Sequence, residues 1–310
     1  MEALRDGTPL PPLSRKRRNQ SGPVVIWHPC RDDHAPVTPG SELDTQDALA
    51  LLEDLHAARV RSLILAGPEP MMRPDFFGII AHARELGIRV LLSTDGSRLS
   101  AMNAVKLAAY RLDYVGIQID GLQPTHNHVH HSRHAYQRAL RGLRAARNAD
   151  LRVGMRMALS AINAVELPAV LALAESECID RFHLSQACLA DCAHGNDRQS
   201  PPRDMTLAAL EWLFDHVWMR AQKGDAGDFV TSQHAANGVY LRHWMARRAP
   251  HRLPDLRERV VRPAEARTAG VLHIDPAGGV HPGTARLDIT FGNVRERAFT
   301  DIATEHPARA

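Results

Sequence analysis

Cysteine is scarce in this chain. Its 310 residues include four, Cys30, Cys178, Cys188 and Cys192. They are too few and too scattered for a disulfide scaffold, and a reducing, cytoplasmic setting suits them. Lysine is scarcer still: of 38 basic residues only Lys16, Lys106 and Lys223 are lysines. Arginine grips carboxylates through a planar fork, which suits an acidic ligand, although a GC-rich coding bias accounts for the same numbers. No apolar run approaches the roughly 18–20 residues of a membrane span, so no membrane is expected as a partner. The basic run Arg15–Arg18 precedes only a short strand-like segment, Val24–Trp27. It lacks the long apolar region and small-residue cleavage site of a signal peptide and reads as a flexible tail over 1–22. A net charge of +3 over the whole chain argues against nucleic acid as a partner.

What is present is a rhythm of short apolar runs and amphipathic segments, 44% hydrophobic overall. Strands are expected at 24–27, 62–66, 89–93, 114–119, 152–159 and 181–185. Helices are expected between them, at 45–59, 75–86, 101–109, 135–148 and 166–177. Leu49, Leu52 and Leu55 keep helical spacing, Asp44 or Thr45 can cap that helix, and Gly87 closes the next. Six strands with intervening helices predict a parallel α/β sheet with right-handed crossovers, as an incomplete barrel or a doubly wound sheet. Beyond Gln186 the rhythm breaks. A polar loop leads to a helix bearing Leu210, Leu213, Phe214 and Val217, and from Gly224 an irregular extension is expected. The domain reading is a core over 23–185 and an extension over 186–310.

Ligands of parallel α/β folds sit at the carboxyl ends of the strands, and there the sequence is distinctive. The second strand runs into Gly67-Pro68-Glu69-Pro70, with Arg73-Pro74-Asp75 beyond it. The third runs into Ser93-Thr94-Asp95-Gly96, and the fourth into Asp120-Gly121 with Thr125-His126-Asn127. The fifth carries Arg156, followed by Asn163. Each piece alone is ordinary turn chemistry, but their order and spacing are informative. Together they resemble the "GGEP…RPD", "STNGT" and "SLDG…THD" elements of radical S-adenosylmethionine (SAM) enzymes. Asp228-Phe229-Val230-Thr231, Asn237-Gly238-Val239-Tyr240 with His243-Trp244, and Gly292-Asn293-Val294 with Phe299 are similar to the branch of that superfamily that acts in haem d1 biosynthesis. The resemblance runs from about Pro23 to Ile302. It implies a partial (β/α)6 TIM-like barrel and, in the family, side-chain removal from an iron tetrapyrrole bearing several carboxylates.

The same resemblance exposes departures. The family holds three irons of a [4Fe–4S] cluster with three cysteines, spaced C-x3-C-x2-C, in the loop after the first strand, and SAM chelates the fourth iron. Here that loop reads His28-Pro29-Cys30-Arg31-Asp32-Asp33-His34-Ala35-Pro36-Val37. Cys30 stands alone as a vestigial ligand, so no [4Fe–4S] cluster and no radical initiation are expected. No cysteine-rich segment for an auxiliary cluster precedes Ala310. Pro68 replaces a glycine of the SAM loop and removes an N–H donor. Gly67, Glu69, Pro70, Ser93, Asp95, Asp120, Arg156 and Asn163 then form a vestigial SAM site with weak SAM or tetrapyrrole binding. For Arg156 and Asn163, a surface arginine and a helix N-cap are the competing readings.

Two further groups have metal-ligand chemistry. His126, His128, His130, His131 and His134 crowd one segment, against a competing reading as solvated loop histidines. Cys188 and Cys192, spaced i, i+4, with His194 and His183 match a Cys2His2 set, against a pair of small buried residues. The leading expectation is a cluster-less pseudoenzyme that binds an acidic iron tetrapyrrole and serves an active paralogue or another enzyme of the haem d1 pathway. The alternatives are an active radical SAM oxidoreductase, or a zinc- or iron-dependent enzyme using Cys188, Cys192 and His194.

Overall fold

The computed structural model describes residues 23–31, 42–186, 201–225, 227–231, 235–253, 271–283 and 289–305. Strands β1 (Val24–Trp27), β2 (Ser62–Leu65), β3 (Arg89–Thr94), β4 (Tyr114–Gln118), β5 (Val153–Leu159) and β6 (Arg181–Gln186) lie side by side in chain order, all parallel. A doubly wound sheet reverses direction at a switch point. This one never does, so its crossovers accumulate in one sense and the helices stay on one face.

Those helices are α1 (Thr45–Ala57), α2 (Phe76–Glu85), α3 (Ala101–Ala109), α4 (Gln123–Val129), α5 (Ala135–Asn148) and α6 (Leu167–Ser176). Alternation along each strand divides its side chains between two faces. Val25 and Trp27, Leu63 and Leu65, Val90 and Leu92, Val115 and Ile117, Met155 and Met157, and Phe182 and Leu184 join the helices in one buried cluster. Burial of each such side chain contributes roughly 1.5–3 kcal/mol. The residues between them, among them Ser93, Gly116, Arg156 and His183, face the inner side.

Local chemistry sets the helix limits. Asp44 caps α1 in a capping box, accepting from Asp47 N at 2.8 Å. Ser100 caps α3, accepting from Asn103 N at 3.1 Å. Helix α4 was not expected, because Gln-Pro-Thr-His-Asn-His-Val shows no apolar period.

Beyond Gln186 the expected helix bearing Leu210, Leu213, Phe214 and Val217 is present, and the segment from Gly224, expected to be irregular, adds further strands and helices. Helix α7 (Arg203–Gln222) buries Leu210, Leu213 and Phe214 and leads to β7 (Asp228–Thr231), parallel to β6. Helix α8 (Ala235–Arg248) packs on α7, with Trp244 Nε1 donating to Asp215 at 3.1 Å. Strand β8 (Val271–Ile274) pairs parallel with β1, and β9 (Gly279–His281) and β10 (Gly292–Asn293) extend that edge antiparallel. Among the described residues ten strands form one sheet, in the order β10-β9-β8-β1-β2-β3-β4-β5-β6-β7. Strands β7 and β8 pair with strands distant in sequence, and β9 and β10 are only 3 and 2 residues long, so none carries a local period. No described helix is long and apolar enough to cross a membrane. The expected tail over 1–22 lies outside the described residues.

One glycine gives a sharp test of packing. Gly142 lies inside α5, where alanine is intrinsically favoured by about 1 kcal/mol. A Cβ there would stand 2.4 Å from the Gly96 carbonyl oxygen and 3.0 Å from Leu99 Cβ. Backbone cannot yield cheaply, so overpacking wins. Gly142→Ala should destabilise the protein by about 1–3 kcal/mol in urea unfolding, and a stabilised variant would contradict this packing.

Candidate functional site

The site is built at the carboxyl ends of the parallel strands, beginning with the loop after β1. Arg73 lies almost buried against the Trp27 ring, its guanidinium carbon 5.8 Å from the ring centroid. It makes a fork with Asp75, Nε to Oδ1 at 2.8 Å and Nη2 to Oδ2 at 2.7 Å. Its Nη1 donates to Pro29 O at 3.0 Å and to Leu43 O at 2.8 Å. These two carbonyls stand on either side of the loop, and one side chain ties both to β2's exit turn. Arg31 N adds a bond to Glu42 Oε1 at 2.7 Å across the same base.

Cys30 sits inside this clamp. It is buried, and its Sγ donates to Pro70 O at 4.0 Å. Burial, with Glu42 nearby, pushes the thiol up to about 12.

Beside it, Gly67 adopts φ +101°, a left-handed conformation that glycine tolerates, and a Cβ there would meet the His28 ring at 3.1 Å. Pro70 then opens a 3₁₀ turn capped by Glu69, whose Oε1 accepts from Met71 N at 2.9 Å. The Glu69 side chain turns inward, and its Oε2 accepts from Thr94 Oγ1 at 2.5 Å and Asp95 N at 3.0 Å. Burial and the neighbouring Asp95 carboxyl push Glu69 up to about 8. Asp95 is also buried, but hydrogen bonds from Glu69 and Ser97 outweigh that effect and hold it below the usual carboxylate range. Ser93 lies half-buried on the inner face below them.

The ends of β4 and β5 are knotted by Asp120 and Asn163. Asp120 accepts from Gln118 Nε2 at 2.5 Å and Ala158 N at 2.7 Å, and pairs with His130 Nε2 at 3.0 Å. Asp120 N donates to His126 Nδ1 at 2.9 Å, and the His126 and His130 rings stack at 4.2 Å. Asn163 is fully buried. Its Nδ2 donates to Asp120 O at 3.1 Å and Ala158 O at 2.8 Å, and its Oδ1 accepts from Ser160 N at 2.7 Å. It makes no helix cap. The histidine-rich segment therefore holds a strand end in place. Among the described residues no three His, Cys, Asp or Glu side chains are grouped to hold a metal. Its histidines read mainly as solvated loop residues, with a metal site as the lesser alternative; two of them are instead engaged by Asp120.

Arg156 lies on the inner face, not on the outer surface. Its chain crosses Gly116, where a Cβ would come within 2.8 Å of Arg156 Cδ. In the same way Tyr114 lies across Gly154 and under the Arg181 guanidinium, 4.8 Å from its ring. His183, register partner of Arg156 on β6, shares this face. Burial first, then the Arg156 and Arg181 charges, lower His183 to about 3. The result is a basic inner wall carrying a neutral imidazole. Cys188, Cys192 and His194 lie outside the described residues.

Comparison with known proteins bears on this arrangement. The model of the radical SAM superfamily matches residues 30–174. The pre-heme d1 synthase of Dinoroseobacter shibae is 31% identical over 96% of this chain and 76% of its own. This chain belongs to the radical SAM superfamily. The Fe-coproporphyrin III synthase of Methanosarcina barkeri is 28% identical, over 97% of this chain and 78% of its own. SuiB of Streptococcus suis, solved bound to S-adenosylmethionine, superposes with a TM-score of 0.65 at 14% identity, over 93% of this chain and 64% of SuiB. Native anSMEcpe with bound AdoMet gives 0.67 at 13% identity, over 92% and 81%. These likenesses confirm the expected partial TIM-like barrel core.

Radical SAM proteins bind SAM and a [4Fe–4S] cluster. The donor set here does not fit that cluster. Cys30 is the single cysteine before Cys178, where the cluster needs three. Cys178 is exposed, at the amino end of β6 and so at the opposite end of the sheet.

The Glu69–Asp95 pair has a pH signature. A carboxyl whose folded value is raised binds more protons folded than unfolded, so its contribution falls as pH rises from the usual carboxylate range to about 8. Asp95 is shifted the other way, and its contribution is complete well below neutrality. Urea unfolding between pH 6 and 9 should show stability declining with pH, and Glu69→Gln should flatten that slope. An unchanged slope would remove Glu69 as its source.

Proposed function

We propose that this radical SAM protein binds an iron tetrapyrrole bearing several carboxylates and does not initiate radical chemistry. In this reading it serves as partner or carrier for an active paralogue or another enzyme of the haem d1 pathway, in the cytoplasm. The observation that carries the proposal is Cys30, one cysteine where the cluster needs three. Relatives named for haem d1 and coproporphyrin support the ligand class, and the basic inner wall around Arg156 suits carboxylates. The opposing reading, an active radical SAM enzyme, rests on those same relatives being named synthases.

Anaerobic reconstitution with iron and sulfide separates the two readings. Protein by this proposal retains no stoichiometric cluster and releases no 5′-deoxyadenosine. SAM, lacking a unique iron and facing Pro68, should bind with Kd above about 10 μM, weaker than roughly −7 kcal/mol. A full cluster lost in Cys30→Ala, or turnover of SAM, would sink the proposal.

The ligand is tested separately. Each bidentate arginine–carboxylate contact to a charged group contributes about 1.5–3 kcal/mol. Arg156→Ala should therefore weaken a micromolar tetrapyrrole complex at least several-fold. A fivefold rise in salt should weaken the wild-type complex too. Binding insensitive to both changes would mean adsorption on apolar surface.

A further inference from the structure

Five buried or half-buried histidines near the sheet differ in what their nitrogens are doing. His126 and His130 are committed to Asp120, through the Asp120 N–H and the Asp120 carboxylate respectively. His281 is committed to Ile289 O at 2.8 Å and Asp275 Oδ2 at 2.9 Å. His273 has no partner on either nitrogen, but it is 1% exposed and packed between the His28 and His281 rings, at 4.2 and 5.6 Å. A ligand cannot reach it without dismantling the seam between β8 and β1. His183 is different. It is only partly buried, it stands on the inner face of β6, and among the described residues its imidazole has no hydrogen-bond partner.

We propose that His183 is the axial ligand to the iron of a tetrapyrrole bound against the inner wall, with Arg156 beside it holding a peripheral carboxylate. The inference rests on the tetrapyrrole reading above and names a contact within that site. Three observations converge on it. The register pairs Arg156 directly with His183 on adjacent strands, side chains on one face. A metal ligand and a carboxylate clamp so placed match a disc with iron at its centre and acids at its rim. Second, Gly116 and Gly154 leave the neighbouring strands without side chains, so Arg156 and Tyr114 lie flat across them and the wall beside His183 stays level. Third, coordination needs a neutral imidazole with a free lone pair. The adjacent Arg156 and Arg181 charges, added to burial, oppose protonation there. Coordination is a donation of that lone pair to iron, so no redox partner is required.

The test uses the full chain and two commercial probes, ferric coproporphyrin III and metal-free coproporphyrin III. Wild-type protein should bind both and shift the Soret band of the ferric form to that of an imidazole complex. His183→Ala should abolish the shift and weaken the ferric probe about tenfold or more, a typical effect of altering a metal-site residue. Metal-free coproporphyrin, which offers no iron, should bind this variant within about twofold of wild type. Added imidazole should restore the shifted Soret band in His183→Ala. His183→Gln, with circular dichroism of both variants, controls for folding.

A Soret shift that persists in both variants overturns the assignment while leaving the tetrapyrrole reading intact. Equal losses for ferric and metal-free probes overturn it as well, since they give His183 only a packing role. If neither probe binds wild-type protein, the tetrapyrrole reading itself falls and this inference falls with it.

Discussion

Four hydrogen bonds from one buried guanidinium hold the mouth of this protein together. Arg73 reaches Asp75 on its own turn and the carbonyls of Pro29 and Leu43 on either side of the loop after β1. A lysine has one ammonium and no planar fork, and could not satisfy the carboxylate and both carbonyls in this geometry. Asp75 is in turn kept ionised: burial works against that, and the bonds from Arg73 and Thr45 outweigh it. With charge and counter-charge both satisfied, the pair can be buried without an uncompensated ion. The positions of Cys30, Gly67 and Glu69 all follow from this clamp, because each hangs from a segment that Arg73 ties down.

Across the mouth, charge is divided by strand. Carboxyl groups gather at β2 to β4, where Glu69, Asp95 and Asp120 meet hydrogen-bond donors from Thr94, Ser97 and Ala158. On the inner face of β5 and β6, away from those carboxyls, Arg156 and Arg181 flank the neutral His183, with Tyr114 at the start of β4 under Arg181.

Much of the barrel was legible in the sequence. Expected strand and helix limits from 24 to 186 differ from the structure by one or two residues, because Leu, Ile and Val recur there at periods set by the backbone. The turns were legible too, since Gly67, Gly96 and Gly121 mark positive φ at strand ends. What escaped was whatever depends on pairing at a distance. Strands β7 to β10 are short, and their partners are chosen by register. Asn163 looked like a cap or a SAM contact, and only the approach of β4 to β5 turns it into a brace. The histidine-rich segment read mainly as solvated loop residues, yet a single backbone N–H and one carboxylate occupy His126 and His130. His183 was read only with Cys188 and Cys192. Its pairing with Arg156 could not be found without knowing how β5 lies against β6.

The pairing of β8 with β1 has a consequence for how the chain is made. About 240 residues separate Trp27 from Val271, yet the two strands are hydrogen-bonded neighbours in the finished sheet. A ribosome adding about 5–20 residues each second therefore takes roughly 12–50 s to deliver β8 after β1 has emerged. During that interval the first strand made can pair with β2, but its other edge has no native partner. A bare apolar edge of this kind is a template for pairing between chains, so the nascent protein passes through a long stretch in which it depends on chaperones or on dilution. The last strands synthesised are what finally shield the first.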